Sequence, residues 1–580
     1  MIPRFIARAW GGAHGALART RRWSPVDLLV LAGLVGLVFA AHRIANEWTG
    51  QLRPTVDIDL SLRALPRYTL FSLARGLIAY GFSLAFTLVY GYWAAKDRVA
   101  ERLLIPLLDI LQSIPVLGFM PGLVLTLVAA FPSTNLGLEL AAVLMIFTGQ
   151  VWNMTFSYFH SLRSVPHDLD EAATVYRYSP WQRLRWVELP HATMGLVWNS
   201  MMSMAGGWFF LMISEAFVLG NRDFRLPGIG AYMSVAVARG DGKAMLQAVV
   251  AMIVMIVLLD QLLWRPVVVW SQKFRVEESA GSEVASSWFL TWLRRSRVLA
   301  WVGGRLRTPR DGLGRGPRPA PEPATAAARA PASKTVAKIA FALLLVGLAI
   351  GAWRLAWLLR PVAIGEWAGM IAGALLTLAR VLAATVIGTL WTLPAGLAIG
   401  LSPRLSRVLQ PVTQIAASFP APMLFPLVIA ALHASGVPLG AGSVLLMLLG
   451  TQWYILFNVI AGTMAIPADL REATATYRLS RFERFRRLYA PAVFPYLVTG
   501  WVTAAGGAWN ASIVSEYVSF HGRTIAATGI GSRISLAAEH GDLAHLAAGV
   551  LVMSALVVLF NRTLWRRLYF VAEQRFALAR

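Results

Sequence analysis

The segment PHDLDEAATVYRYS, Pro166 to Ser179, returns later in the same chain as PADLREATATYRLS, Pro467 to Ser480. Downstream the two copies stay in register without a gap. Pro190 pairs with Pro491, Trp208 with Trp509, Ser214-Glu215 with Ser515-Glu516, and Gly-Ile-Gly at 228 with the same triplet at 529. Gly240-Asp241 then pairs with Gly541-Asp542, and Trp264-Arg265 with Trp565-Arg566. Upstream the register shifts across the short loop near 131–136, after which Pro106, Ser113, Pro115 and Pro121 match Pro411, Ser418, Pro420 and Pro426. A self-match this long makes each half one copy of a single structural unit.

The composition says where those units reside. Hydrophobic residues make up 57% of the chain and charged residues 14%, far from the balance of a soluble globular protein. The apolar residues come in runs of roughly 20, the length a helix needs to cross a bilayer. Tracts such as 28–40 and 341–350 are continuously apolar, which favours helices over the alternating strands of a barrel. Spans are expected near 26–45, 66–95, 103–130, 137–160, 190–219 and 244–270, and again near 336–359, 366–401, 408–432, 439–465, 491–519 and 544–570. The expected fold is an all-α polytopic membrane protein of about twelve transmembrane helices in two homologous six-helix halves. Equivalent segments share an orientation, so the repeat is parallel, with a pseudo-twofold axis along the membrane normal and a pathway between the halves. The expected organisation is an N-terminal cytoplasmic segment at 1–25, a first bundle at 26–272, a cytoplasmic linker at 273–334, a second bundle at 335–572 and a tail at 573–580.

Charge sets the orientation. Lys96, Arg98 and Arg102 cluster in one loop, and Arg471, Arg478, Arg481, Arg484, Arg486 and Arg487 in another, whereas 131–136 and 434–441 carry no Lys or Arg. Positive loops stay inside, so both termini are expected in the cytoplasm. The loop 219–243 is an exception, with Arg222, Arg225, Arg239 and Lys243 on the expected outer side. The net charge of +24 therefore reads as retained cytoplasmic Lys and Arg, not as a nucleic-acid footprint. The linker segment GRGPRPAPEPATAAARAPAS cannot bury enough apolar surface to fold. Before it, Trp288, Phe289, Trp292, Leu293 and Trp301 beside Arg294, Arg295, Arg297, Arg305 and Arg307 suggest a helix on the membrane surface.

The repeated loop carries the functional signal. EAATVYRYSPWQRLRWVELP (Glu171 to Pro190) and EATATYRLSRFERFRRLYAP (Glu472 to Pro491) resemble the cytoplasmic EAA loop of binding-protein-dependent ABC importer permeases. The resemblance implies that each loop forms a short coupling helix docking into a cleft on an ATPase subunit, with Asp168, Glu171, Ala172, Tyr176 and Arg177 in the first copy. Asp469, Glu472, Ala473, Tyr477 and Arg478 are their equivalents. A helix over 168–178 would place Asp168 and Glu171 at the N-terminal end, where the dipole favours acids, and leave Ala172 and Ala173 small enough for a partner to approach. Two departures stand out. Arg177 and Arg478 replace the usual glycine, which implies an acidic complement in the ATPase cleft, and Ala490 replaces the Leu before the final Pro.

A Glu late in the fifth helix followed by Gly-Ile-Gly is similar to the nitrate, sulfonate, taurine and bicarbonate branch of that family. The resemblance implies a bacterial inner-membrane importer with two cytoplasmic ABC ATPase subunits, an extracytoplasmic substrate-binding protein and a small anionic solute. ATP and Mg would be bound by the ATPase, leaving no cofactor for this chain. Within the spans, Glu215 and Glu516 either line the outer end of the pathway or hydrogen-bond neighbouring backbone. Trp208 and Trp509 likewise either pack helices or line the pathway. Asp109 and Glu139 occur only in the first half and His433 only in the second. The prolines at 106, 115 and 121, and at 411, 420 and 426, should kink or break the third helices. No P-loop or HExxH motif occurs, and with no Cys there is neither a disulfide nor a thiolate site, so no catalytic residue is assigned. The alternative is a secondary transporter driven by an ion gradient, which can share the helix count and parallel repeat.

Overall fold

The computed structural model describes residues 25–219, 222–274, 287–293, 295–296, 345–347, 349–520 and 523–576. The chain divides into two compact units, Met1–Ala45 with Ala285–Ile339, and Asn46–Val284 with Ala340–Arg580. In the first, α1 (Pro25–Thr49) begins, and Ser296 Oγ donates to Asp27 Oδ1 at 2.9 Å. The aromatic segment before the linker forms the short helix Trp288–Leu293, numbered α10 in chain order, whereas Trp301, Arg294, Arg297, Arg305 and Arg307 lie outside the described residues.

The second unit holds both copies of the repeat. The first runs α2 (Leu65–Lys96), α3 (Arg98–Ser113), α4 (Val116–Ala130), α5 (Leu136–Arg163), α6 (His167–Val175) and α7 (Pro180–Ser214). A hairpin of β1 (Ala216–Leu219) and β2 (Arg222–Arg225) follows, then α8 (Ile229–Ala238) and α9 (Gly242–Phe274). The second copy repeats the order: α11 (Leu345–Leu358), α12 (Ile364–Leu401), α13 (Pro403–Ser418), α14 (Phe425–Ala434), α15 (Leu439–Met464), α16 (Ala468–Thr476) and α17 (Arg481–Ser515). It closes with β3 (Tyr517–Phe520), β4 (Arg523–Ala526), α18 (Ile530–His540) and α19 (Leu543–Phe576). Each hairpin is antiparallel, Ala216 opposite Arg225 and Tyr517 opposite Ala526.

Among the described residues, nine helices are long and apolar enough to cross a membrane, ten if α3 and α4 form one broken span. The shortfall from the expected twelve lies at α3–α4, at α13–α14 and at the expected span 336–359. α3 and α4 are bent by 96°, and α13 and α14 are separated by a short 3₁₀ turn, Ala421–Met423. Of the three prolines in each half it is the middle one that breaks the helix. Ring clash drives the preceding residue out of the helical region, and both Ile114 (ψ 122) and Phe419 (ψ 127) are extended. The fifth helices stop at Ser214 and Ser515, earlier than expected, because each chain turns into a hairpin there. Part of the expected span 336–359 falls outside the described residues.

Without water to drive apolar association, helices in lipid pack through small residues that let side chains of one interlock with the backbone of another. α5 runs between α2 and α7 on this principle. A Cβ at Gly91 would lie 2.8 Å from the Tyr158 ring, at Gly149 2.2 Å from Phe210, and at Gly207 2.4 Å from Gln150 Nε2. The halves also interlock: α4 packs on α17 and α19, where a Cβ at Gly118 would sit 2.7 Å from Val550, while α13 packs on α7 and α9. Asn510 Oδ1 accepts from the Val116 amide at 2.8 Å, capping α4 from across the interface. Gly149→Ala is expected to force the Phe210 ring aside and to destabilise the bundle by about 1–3 kcal/mol, read as a lower unfolding temperature in detergent.

Candidate functional site

Three features recur in both halves or lie between them: a buried charge cluster where the long helix meets the hairpin, a short exposed helix at the opposite end of that helix, and a cavity between the halves.

The cluster is built from α2, α5 and the end of α7. Arg75 is fully buried, and a buried guanidinium is tolerated only if its donors are satisfied. Its Nε and Nη2 donate to the two oxygens of Glu139 at 2.5 and 2.7 Å, and its Nη1 to Glu215 Oε1 and to the Pro227 carbonyl, both at 2.8 Å. Ser72 Oγ donates to Glu215 Oε1 at 2.6 Å while accepting from the Ile229 amide at 2.9 Å. Glu215 Oε2 accepts from the Gly230 amide at 2.7 Å. The carboxylate therefore ends α7 and starts α8. A Cβ on Gly228 would lie 2.2 Å from that carboxylate, and one on Gly230 2.7 Å from the Met212 carbonyl, which accounts for both glycines of Gly-Ile-Gly.

The second half repeats the cluster with one member missing. Arg380 Nη1 donates to Glu516 Oε1 at 2.6 Å and to the Thr528 carbonyl at 2.8 Å. Thr377 Oγ1 donates to Glu516 Oε1 at 2.8 Å and accepts from the Ile530 amide at 3.0 Å, and Glu516 Oε2 accepts from Gly531 at 2.9 Å. Where α5 carries Glu139, α15 carries Gly440, in register with the Trp152/Trp453 and Gly149/Gly450 pairs. A Cβ at Gly440 would lie 3.3 Å from Arg380 Nη2.

Glu215 and Glu516 are both 0% exposed. Their carboxylates are held by the buried arginine, a hydroxyl and a backbone amide of the Gly-Ile-Gly segment. Sequence reading missed Arg75, Arg380, Ser72 and Thr377, although they obey the same shifted register as Pro106 and Pro411. Trp208 is buried with its ring on α2, where a Cβ at Gly76 would lie 2.6 Å away, and it borders a small cavity with Met201, Asp260 and Gln414. Trp509 is buried and borders neither cavity. The larger cavity, about 70 Å³, lies between α7 of one half and α13, α15 and α17 of the other. Met202, Phe210, Gln414, Phe419, Tyr454 and Asn510 are among its lining. Asp109 and His433 border neither cavity.

At the opposite end of α7 and α17 stand the short helices α6 and α16. Each is shorter than expected. α6 ends at Val175 because Arg177 turns left-handed (φ 49), and Arg478 does the same (φ 50). The Arg177 amide donates to Thr174 O and the Tyr178 amide to Ala173 O, a Schellman closure whose left-handed position is usually glycine. Ser179 and Ser480 then open the next helix with capping boxes to Gln182 and Glu483. This leaves Asp168, Glu171, Tyr176 and Arg177 exposed, and equally Asp469, Glu472, Tyr477 and Arg478. Ala172 and Ala473 are half-buried, whereas Ala173 is 3% exposed. Ala173 therefore faces its own bundle, which corrects the expectation that it makes room for a partner. Glu171 Oε1 lies 3.2 Å from His167 Nδ1.

The two helices are anchored differently. Asp170 pairs with Arg183, which with Lys96 reaches Glu188 at 3.3 and 2.5 Å respectively, tying α6 to the end of α2. In the second half the equivalent positions are Arg471 and Tyr489. There Arg471 Nη2 donates instead to the Thr463 carbonyl at 2.7 Å, at the end of α15.

Removing one partner of a buried ion pair strands the other, at a cost of about 3–5 kcal/mol. Arg75→Met, which strands two carboxylates, is expected to lower the unfolding temperature more than Arg380→Met, which strands one.

Residues 87–263 and 392–575 each match the family described as "Binding-protein-dependent transport system inner membrane component". The chain is 25% identical over 209 residues to the nitrate import permease protein NrtB of Leptolyngbya laminosa, covering 36% of this chain and 64% of the relative. To the glycine betaine/carnitine transport permease protein GbuB of Listeria monocytogenes it is 27% identical over 188 residues, 30% of this chain and 56% of the relative. To the bicarbonate transport system permease protein CmpB of Synechocystis it is 25% identical over 194 residues, covering 33% and 66%. The matches thus span somewhat under two thirds of these relatives' length. Two matching regions in one polypeptide, each with its own helix-ending glutamate and short exposed helix, establish that the chain belongs to the family of binding-protein-dependent transport system inner membrane components and carries two of its permease units fused.

Proposed function

We propose that this chain is the membrane-spanning subunit of an ATP-driven importer, forming the solute pathway between its halves and coupling it to two cytoplasmic ABC ATPase subunits. The observation that carries this reading is the pair α6 and α16: two short helices of the same design, on the same end of their bundles, each presenting an acidic first turn, an exposed tyrosine (73% for Tyr176, 79% for Tyr477) and a left-handed arginine. Aromatic residues and Arg are the side chains that dominate interface energies. That end is the cytoplasmic one on the charge of its loops, with both termini on the same side.

An extracytoplasmic binding protein delivers the solute, ATP closes the two ATPase subunits, and α6 and α16 convert that closure into rocking of the halves by alternating access. The solute is a small anion of the nitrate, sulfonate or bicarbonate type, a choice favoured by the nitrate and bicarbonate permeases among the relatives. ATP and Mg belong to the ATPase subunits.

Glu171→Ala combined with Glu472→Ala is expected to leave ATP hydrolysis by the assembled complex intact while abolishing uptake into proteoliposomes. Normal uptake by the double variant would sink the coupling role, and uptake by the chain without any ATPase subunit would replace this reading with an ion-gradient transporter. Left-handed backbone is costly for any residue with a Cβ and easy for glycine. Arg177→Gly with Arg478→Gly is therefore expected to keep the fold at least as stable while weakening ATPase binding roughly tenfold or more, the loss of charge-assisted hydrogen bonds to acidic groups in the cleft. Co-purification at graded salt measures it.

A further inference from the structure

We infer that the second half contains a binding site for a small planar oxyanion on the Nε/Nη2 edge of Arg380, at the place where the first half holds the Glu139 carboxylate. The internal repeat supplies the evidence. In both halves Nη1 is used identically, donating to the helix-ending glutamate and to a carbonyl of the segment after the hairpin. In the first half the remaining two-donor edge holds both oxygens of Glu139. In the second half no carboxylate or carbonyl among the described residues reaches that edge, because Gly440 replaces the glutamate.

Arg380 is nonetheless held in place. It is 8% exposed, its Nη1 is fixed by two acceptors, and Nη2 sits where a Cβ at Gly440 would be only 3.3 Å away. The side chain keeps 10% of its surface open, against 0% for Arg75. A guanidinium fork matches a flat, two-oxygen acceptor with parallel hydrogen bonds, as in the Arg75–Glu139 pair. The place is the one a flat carboxylate fills in the first half, so a flat monoanion such as nitrate, bicarbonate or a free carboxylate fits it better than the bulkier sulfate dianion or spherical chloride. Gly440 is the second residue of α15, at the hairpin end of the bundle, which is the outer end on the orientation proposed above. A role in receiving the transported solute rests on that proposed function; the existence of the site does not.

The test uses the full chain in lipid nanodiscs, without binding protein, titrated calorimetrically with sodium nitrate and sodium acetate at constant ionic strength, with sodium sulfate and sodium chloride as comparisons. Saturable binding of nitrate or acetate at one site per chain is expected, at least about tenfold tighter than sulfate or chloride. Gly440→Glu, which restores the first half's carboxylate, should abolish it. Arg380→Lys, which keeps a positive charge but loses the fork, should weaken it about tenfold or more and carries the test if Gly440→Glu does not fold. No saturable binding, equal binding of sulfate, or indifference to both Gly440→Glu and Arg380→Lys overturns the site. So does a result in which free anions do not bind but Gly440→Glu weakens docking of the binding protein, since the fork then takes a side-chain carboxylate of that protein. Anion binding as expected in a chain whose uptake proves unrelated to anions would keep the site and reject the substrate class.

Discussion

A guanidinium enclosed in an apolar bundle has little water to fall back on, and in each half of this protein it is tied to the carboxylate that ends the helix leading from the short exposed one to the hairpin. The consequences spread outward from there. Because Glu215 and Glu516 also accept the amides of Gly230 and Gly531, the strand-forming segment between them is pinned at both ends, and the hairpin leaves the bundle at a fixed point. The approach is so close that the first and third residues of Gly-Ile-Gly have no room for a side chain. Buried ion pairs contribute little net stability relative to apolar packing, but they are demanding about geometry. Here that demand ties α2, α7 and α8 together in the first copy and α12, α17 and α18 in the second.

The same long helices link the two ends of each copy. α7 runs from its serine cap just after α6 to the glutamate cluster, and α17 does the same after α16. At about 1.5 Å per residue such a helix is a rod longer than a bilayer core is thick. On the proposed reading, a push on the short exposed helix is delivered to the cluster and hairpin at the far end. The π-turns at 184–188 and 485–489, near the foot of each rod, are the places where the helical ladder is loosest.

Fusion allows the copies to diverge, since each is encoded separately. Their backbones agree down to the left-handed arginines, but their charges do not. Glu139 has become Gly440, and the Asp170–Arg183–Glu188–Lys96 tie has given way to Arg471 on a helix-end carbonyl. A transporter assembled from two identical chains could not hold one cluster closed by its own carboxylate and leave the other open.

Most of the architecture was legible in the residues because its signals are one-dimensional. Spans follow from apolar runs, the two units from self-similarity, and the short helices from a loop motif repeated at constant spacing. The partners of Arg75 could not be read that way: they lie 64 and 140 positions distant, and no local period links them. Three prolines per half each had the chemistry to break a helix, and only the folded backbone shows that Pro115 and Pro420 do so. Arg177 and Arg478 stood out as replacements for glycine, yet their left-handed backbone became visible only with the closing hydrogen bonds in place. Which face of α6 Ala173 turns, and that Glu215 looks inward, were likewise decided by tertiary contact. Hydrophobic pattern and repetition are properties of neighbouring residues, whereas satisfying a buried charge is a property of whatever the folded chain brings around it.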